Sequence, residues 1–371
     1  MINRTLATKI KAKFFKGKVI VLIGPRQVGK TTMINAVLKG KDYLFLDGDD
    51  NSVCDAIAMA NTEMLKSMIG NYKFVFIDEV QRIPNIGLKL KIMVDQIKEV
   101  QVIVSGSSAL DINDITQEPL TGRKFEYQMF PISWSEFEKN NGYIKAQQQL
   151  ELRLVYGMYP DVINNYGNEY EILKNLVSSY LYKDILSLTG IRKSDVLYKI
   201  LQALAYQIGS EVSYNEVAQL VGVDKNTVSN YIDLLEKSFV VFRLNSYARN
   251  ARNEIKANRK IYFYDNGVRN MIIGNLNRWD VRADKGPLWE NFMISERMKL
   301  LSYENSNAKP HFWRTTTQQE IDYIEVDADD VNAFEIKWAN KKAKLPKSFS
   351  DFYNGTFDII TKDNFRDFLK I

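Results

Sequence analysis

The chain has 371 residues, 45% of them hydrophobic, and a formal net charge of +5, the profile of an ordinary soluble protein with roughly two to four modules and sizeable cores. Cys54 is the only cysteine and His311 the only histidine. Disulfides, Cys/His zinc sites and Cys–His nucleophilic pairs are thereby excluded within one chain, which leaves carboxylates, lysines, hydroxyls and oxygen-bound metals to carry any chemistry. The mild basicity permits contact with nucleic acid without arguing strongly for it.

Met1-Ile2-Asn3-Arg4-Thr5 opens no signal peptide, and apolar runs such as Val19 to Ile23 and Phe74 to Ile77 are too short to span a bilayer. A cytoplasmic location without membrane contact is expected. Lys18 to Ile23 is a β-branched apolar run that reads as a buried strand, and Thr32 to Leu38 reads as a helix. Between them Gly24-Pro25-Arg26-Gln27-Val28-Gly29-Lys30-Thr31 fits G-x-x-x-x-G-K-[ST] without a mismatch, and its neighbours are the strand and helix this phosphate-binding loop requires. The two glycines let the backbone curl so that N–H groups and the positive end of the helix point at phosphates. Lys30 adds a charge for the β- and γ-phosphates of ATP, Thr31 offers its hydroxyl to Mg2+, and Pro25 stands where no N–H is needed. The expected nucleotide-binding stretch runs from Gly24 through Thr32.

Asp42 to Asp47 reads as a second strand, followed by a polar, helix-compatible stretch through Ile69. Lys73 to Glu79 is a hydrophobic strand ending in two carboxylates, the Walker B form: Asp78 would hold Mg2+, usually through water, and Glu79 would act as general base on the attacking water. A fourth strand at Gln101 to Val104 ends in Ser105-Gly106-Ser107-Ser108. Ser105 is the first choice for touching the γ-phosphate or the attacking water, with Ser107 second. A fifth strand, Lys124 to Phe130, follows Leu120-Thr121-Gly122-Arg123. Arg123 is a candidate arginine finger reaching the nucleotide of a neighbouring copy in a homo-oligomer; the alternative is a surface arginine on a turn.

The segments GPRQVGKTT, FIDEVQRIP, SGSSAL, LTGR and FPISWSEF, in this order and spacing, resemble the bacterial and archaeal AAA+ ATPases that carry a conserved C-terminal domain of uncharacterised function. YGMYPDV, YLYKDIL and LWENF extend the resemblance over nearly the whole chain. It implies a five-stranded parallel sheet flanked by helices, with the phosphate loop at the strand ends. One departure is Gly157-Met158, where that family often has two glycines.

From Trp134 to about Gln207 the apolar residues recur at helical spacing, as in Ile172, Leu176, Tyr180 and Leu173, Val177, Leu181, and a helical lid is predicted. Tyr180, Tyr182 and the nearby leucines read as core, and Arg153 or Arg192 as a nucleotide sensor, with nothing to select one. Val212 to Val223 and Asp224 to Leu235 read as a helix-turn-helix with Asp224 as N-cap of the second helix. Lys225, Asn226, Ser229 and Asn230 form its early polar face, the part a recognition helix offers to a groove. Strands at Phe239 to Leu244 and Lys260 to Tyr264 flank a wing with Arg249, Arg252, Lys256 and Arg259 against the single acid Glu254. A basic hairpin beside a polar helix suits the DNA backbone; packing or partner binding is the competing reading.

The last module starts near Gly286-Pro287-Leu288-Trp289-Glu290 and continues through Phe312-Trp313-Arg314, Glu320 to Glu325 and Ala333 to Trp338. A helix carboxylate, an aspartate on a hairpin and Glu-x-Lys on the next strand resemble the PD-(D/E)xK nuclease core. Strand alternation puts Glu335 and Lys337 on one face. Asp322, Glu335 and Glu290, with Glu296 as the lesser substitute for the last, are the expected Mg2+ ligands, and Lys337 the group that positions or deprotonates water.

The fold expected is α/β: a P-loop AAA+ ATPase core over 1–135, a helical lid over 136–207, a winged helix-turn-helix over 208–270 and a restriction-endonuclease-like α/β domain over 271–371. The expected function is an oligomeric ATPase that remodels or cuts DNA. The alternative is an ATP-driven switch that binds a protein partner, with the nuclease-like domain silent.

Overall fold

The computed structural model describes residues 2–107, 119–179, 194–247, 259–315, 317–328, 330–339, 343–351, 353 and 355–371. Tyr180, Leu181, Tyr182, Arg192, Arg249, Arg252, Glu254, Lys256 and Ser108 lie outside the described residues. The chain forms two compact units, 1–131 with 237–239, and 132–236 with 240–371.

The first unit alternates α1 (Thr5–Lys11), β1 (Val19–Ile23), α2 (Lys30–Leu38), β2 (Tyr43–Asp47), α3 (Asn51–Met59), α4 (Thr62–Ile69), β3 (Phe74–Asp78), α5 (Ile86–Gln96), β4 (Gln101–Gly106) and β5 (Lys124–Gln128). The strands make one sheet in the order β2-β3-β4-β1-β5, and every pairing is parallel. Each residue of β1, β3 and β4 is buried. Such runs stay dry only in a sheet covered on both faces, which is why they carry Val, Ile and Phe without alternation. The parallel register aligns all strand ends, so the residues after β1, β3 and β4 share one edge.

The second unit opens with helices: α6 (Trp134–Asn141), α7 (Tyr143–Gln148), α8 (Leu150–Tyr156), α9 (Pro160–Asn164), α10 (Glu169–Ser179) and α11 (Ser194–Tyr206). Ser133 and Glu136 close a reciprocal capping box at the start of α6, which satisfies two N-terminal N–H groups. After β6 (Glu211–Val212) come α12 (Tyr214–Val221) and α13 (Lys225–Lys237), then β7 (Val241–Asn245) and β8 (Arg259–Phe263). These strands form an antiparallel sheet in the order β6-β8-β7. Asp224 caps α13 by accepting the Thr227 N–H at 2.9 Å, and Val228, Tyr231, Ile232 and Leu235 bury one face of that helix at three-to-four spacing.

The unit closes with α14 (Asn266–Ile272), α15 (Lys285–Glu304), β9 (Lys309–Arg314), β10 (Glu320–Asp327), β11 (Asp330–Ile336), α16 (Lys347–Ser350), β12 (Phe357–Ile360) and α17 (Phe365–Phe368). The sheet order is β12-β11-β10-β9, with β12 parallel to β11 and the other pairings antiparallel. Trp313, Ile321, Ile324, Val331, Ala333 and Phe349 form a buried cluster in this module. At Gly157-Met158 the chain is tied to α14's cap residue: the Met158 N–H donates to Asp265 at 2.6 Å. No helix among the described residues is long and apolar enough to cross a membrane.

Candidate functional site

The loop after β1 turns into α2 at Gly29, whose φ of 89° is left-handed, a conformation in which glycine carries no Cβ penalty. Gly24 has a different reason to be glycine: a Cβ there would lie 2.0 Å from the Met129 carbonyl oxygen, where β5's continuation passes beside the loop. Lys30 is 6% exposed and its ammonium donates to the carbonyls of Gly24 at 2.8 Å and Pro25 at 2.9 Å. The loop and the start of α2 thus offer a helix N-terminus and a lysine together, a natural anion site.

Strand alignment carries Asp78 to the same edge. The Thr31 hydroxyl donates to Asp78 Oδ2 at 2.5 Å, and the Ser105 hydroxyl to Asp78 Oδ1. An oxygen-only set of a hydroxyl and a carboxylate suits a hard cation such as Mg2+; Thr31 and Asp78 are the residues that would hold it, and it would neutralise phosphate charge. Glu79 follows in a left-handed turn with φ 45°. Its carboxylate accepts from the Gln81 side-chain amide at 2.6 Å and lies 3.5 Å from the Ser107 hydroxyl.

The two serine candidates meet different carboxylates. Ser105, fully buried, donates to Asp78, whereas Ser107 stands beside Glu79. Arg123 lies elsewhere: its carbonyl accepts from Val19 N–H and Val19 pairs with Lys124, which puts it at the strand-start edge. Five residues of strand separate that edge from the loop, about 16 Å at 3.3 Å per residue. Its guanidinium pairs with Asp95 at 2.8 Å.

A second group of charges forms around β8, α15, β10 and β11. Lys337 lies 2.7 Å from Glu335 and 3.4 Å from Asp322, so the expected shared face of Glu335 and Lys337 is present. Asp322 sits where the β9–β10 register shifts between Ile321 and Ile324, an irregularity that re-aims a side chain, and it accepts the Ile336 N–H at 2.8 Å. Glu290 faces Lys260 at 3.2 Å and accepts from the Tyr262 hydroxyl at 2.6 Å. Lys260 is 1% exposed and also pairs with Glu320 at 2.5 Å.

Burial raises the Glu290 carboxyl to about 7. Burial, and after it Asp322, also raises Glu335. For Lys260 burial opposes the charge, but Glu290, Asp322 and Glu320 outweigh it and push the ammonium above its usual range. A cleft of about 360 Å³, lined by Lys285, Glu290, Lys337 and Trp338 among others, opens beside these groups.

Among the described residues no group of three or more His, Cys, Asp or Glu side chains is arranged to hold a metal ion. Of the expected set, Glu290 faces Lys260, and Asp322 and Glu335 face Lys337. Glu296 is not part of it; it is buried, accepting from the Trp134 N–H at 2.6 Å and pairing with Lys299 at 2.8 Å. Arg153 is 1% exposed with Glu169 at 3.9 Å, so it is a buried cation of the second unit.

On α13, Lys225, Asn226 and Asn230 are exposed and Ser229 half-buried. Arg259 lies over the Tyr214 ring at 5.0 Å. Sequence reasoning missed Gln81, Lys260, Tyr262 and Glu320. Alternation along Lys260-Ile261-Tyr262 was the available signal for two of them, because it places the lysine and tyrosine on one face.

Residues 16–138 match the family described as AAA domain, and 147–278 and 285–364 match two domains of unknown function, DUF8612 and DUF4143. An uncharacterized protein of Mycobacterium tuberculosis is 26% identical over 342 residues, covering 90% of this chain and 74% of the relative. One from Haemophilus influenzae is 24% identical over 357 residues, covering 85% and 82%. A Walker-type ATPase of Pyrococcus abyssi superposes with a TM-score of 0.51 at 13% identity, covering 73% of this chain and 96% of that one. Over residues 16–138 the first unit thus resembles an AAA domain, in keeping with the geometry of its loop.

Proposed function

We propose that the protein hydrolyses ATP as a homo-oligomer and couples hydrolysis to work on DNA. The observation that carries the hydrolytic part is the Thr31–Asp78 hydrogen bond of 2.5 Å, which joins the phosphate loop to the strand end bearing Glu79. Lys30 and the N–H groups from Gly24 to Thr32 bind the phosphates, and Glu79 takes a proton from the attacking water. Arg123, on the edge away from its own loop, serves a neighbouring copy's nucleotide as an arginine finger.

The DNA part is supported by the sequence of elements α12, α13 and the β6-β8-β7 sheet, read as a winged helix-turn-helix. The exposed Lys225, Asn226 and Asn230 would meet a groove, and Arg259 with the wing residues Arg249, Arg252 and Lys256 would meet phosphates. The C-terminal sheet is read as a PD-(D/E)xK-like fold.

A second reading is favoured by Lys260. A buried ammonium already balances Glu290 and Glu320, which supports a nuclease-like domain without cleavage and an ATP switch that binds a protein partner through it. Steady-state ATP turnover with and without single- and double-stranded DNA, at low and moderate salt, decides between them, with Glu79→Gln as control. Stimulation that fades with salt is expected for DNA work, since phosphate contacts weaken steeply as salt rises. Turnover indifferent to DNA favours the partner switch. Magnesium-dependent nicking that stops in Lys337→Ala would restore cleavage to the reading.

A further inference from the structure

Gln81 stands two residues beyond the proposed base, in the short 3-10 turn Val80–Arg82. Its amide nitrogen donates to Glu79 Oε2 at 2.6 Å and to the Ser107 hydroxyl at 3.2 Å. A carboxylate can only accept, so the amide must face it nitrogen first, and the carbonyl Oε1 is left on the other side. That oxygen is buried and has no hydrogen-bond partner among the described residues.

A buried acceptor without a partner costs stability. An apolar side chain of the same length would fill this place at no such cost, and groups that break a local rule in this way gather at working sites. What the amide accomplishes is local: it ties the carboxylate of Glu79, which follows a left-handed turn, to the end of β4 through Ser107. Both contacts fall on the same carboxylate oxygen, Gln81 at 2.6 Å and Ser107 at 3.5 Å, and a general base must stand within hydrogen-bond reach of its proton.

We infer that Gln81 is the positioning residue of Glu79, holding the carboxylate at the angle for attack by water, and that Ser107 backs it from just past the end of β4. Gln81 acts through Glu79. The inference rests on the ATPase reading given above.

The test uses the full chain and ATP. Gln81→Met keeps length and packing and removes the donor. The expected result is a fall in kcat of about 100-fold, the scale of a 1 Å misplacement, with KM within about twofold. Its melting temperature is expected to equal or exceed the parent's, because the unpartnered oxygen is gone. Ser107→Ala lowers kcat in the same direction by less. In single-turnover assays, adding Gln81→Met to Glu79→Gln is expected to leave the residual rate unchanged, since the carboxylate it served is absent.

Three results overturn the inference: parental turnover in Gln81→Met while Glu79→Gln is slow, a lowered melting temperature with KM rising alongside the loss of kcat, or full additivity of the two changes. Parental turnover in Glu79→Gln instead sinks the ATPase reading on which the inference stands.

Discussion

The two charged sites are built from similar residues and differ in what holds their acids. In the first unit Asp78 is held by the neutral hydroxyls of Thr31 and Ser105, and Lys30 donates to main-chain carbonyls. A cation or a phosphate can exchange with such partners at small electrostatic cost. In the C-terminal module the acids are held by ammonium groups: Lys260 against Glu290 and Glu320, and Lys337 against Glu335 and Asp322. An incoming cation there meets a charge that is already in place, buried at Lys260 and half-buried at Lys337. The same acid-plus-lysine vocabulary therefore makes a site open to ligand in one unit and a self-balanced cluster in the other.

The largest test of this contrast is Lys30→Ala. ATP affinity, read by titration with a fluorescent analogue, is expected to fall by at least about 100-fold, the scale of losing a charged contact to phosphate. Unchanged affinity would take the loop out of nucleotide binding. Lys260→Met comes next: removing one partner of a buried ion pair costs about 3–5 kcal/mol, measurable by urea unfolding. Millimolar Mn2+ without nucleotide should then raise the melting temperature of the variant and leave the parent's unmoved. A parent that responds equally to Mn2+ would show its acids to be available for metal, and the contrast would fail.

The smallest effect concerns Glu290. Its carboxyl is raised by burial from the usual 4.5 to about 7. A raised pKa means that the folded state favours the protonated form. The associated stability is fully present below about 4.5 and is lost as pH rises through about 7. Glu290→Gln should flatten the profile of stability between pH 5 and pH 8 by about 2 kcal/mol, whatever its absolute melting temperature. A parallel profile in the two proteins would place the titration elsewhere.

Much of the first unit was legible because its information is local. Uninterrupted apolar runs mark parallel strands buried on both faces, and the loop from Gly24 to Thr31 declares its chemistry by spacing alone. The same holds for the Asp224 cap and the early polar turns of α13. Ser105 and Ser107 are legible as a pair, but not which carboxylate each meets. Ser105 lies on β4 and Ser107 just past its end, and which acid each meets depends on how far β3 and β4 extend and on the left-handed turn at Glu79.

The acids and lysines of the last module show the limit more sharply. Glu290, Asp322, Glu335 and Lys337 were legible as residues in order, and their pattern resembled a nuclease core. Lys260 was read only as the start of a strand beside a basic wing, because a lysine there has the same local signature whether it faces solvent or acids.

The sequence by itself determined the strand-loop-helix with its phosphate-loop pattern, the carboxylates at the end of β3 and the capped second helix, since each depends on neighbours within a few residues. Only the tertiary structure decided that Gln81 bridges Glu79 to Ser107, that Arg123 sits on the far edge of its sheet, and that Lys260 lies among the C-terminal acids. Those facts depend on strand order, on a register shift at Asp322 and on contacts between residues about 30 apart in the chain, and electrostatic balance in a buried site is set by distance in space.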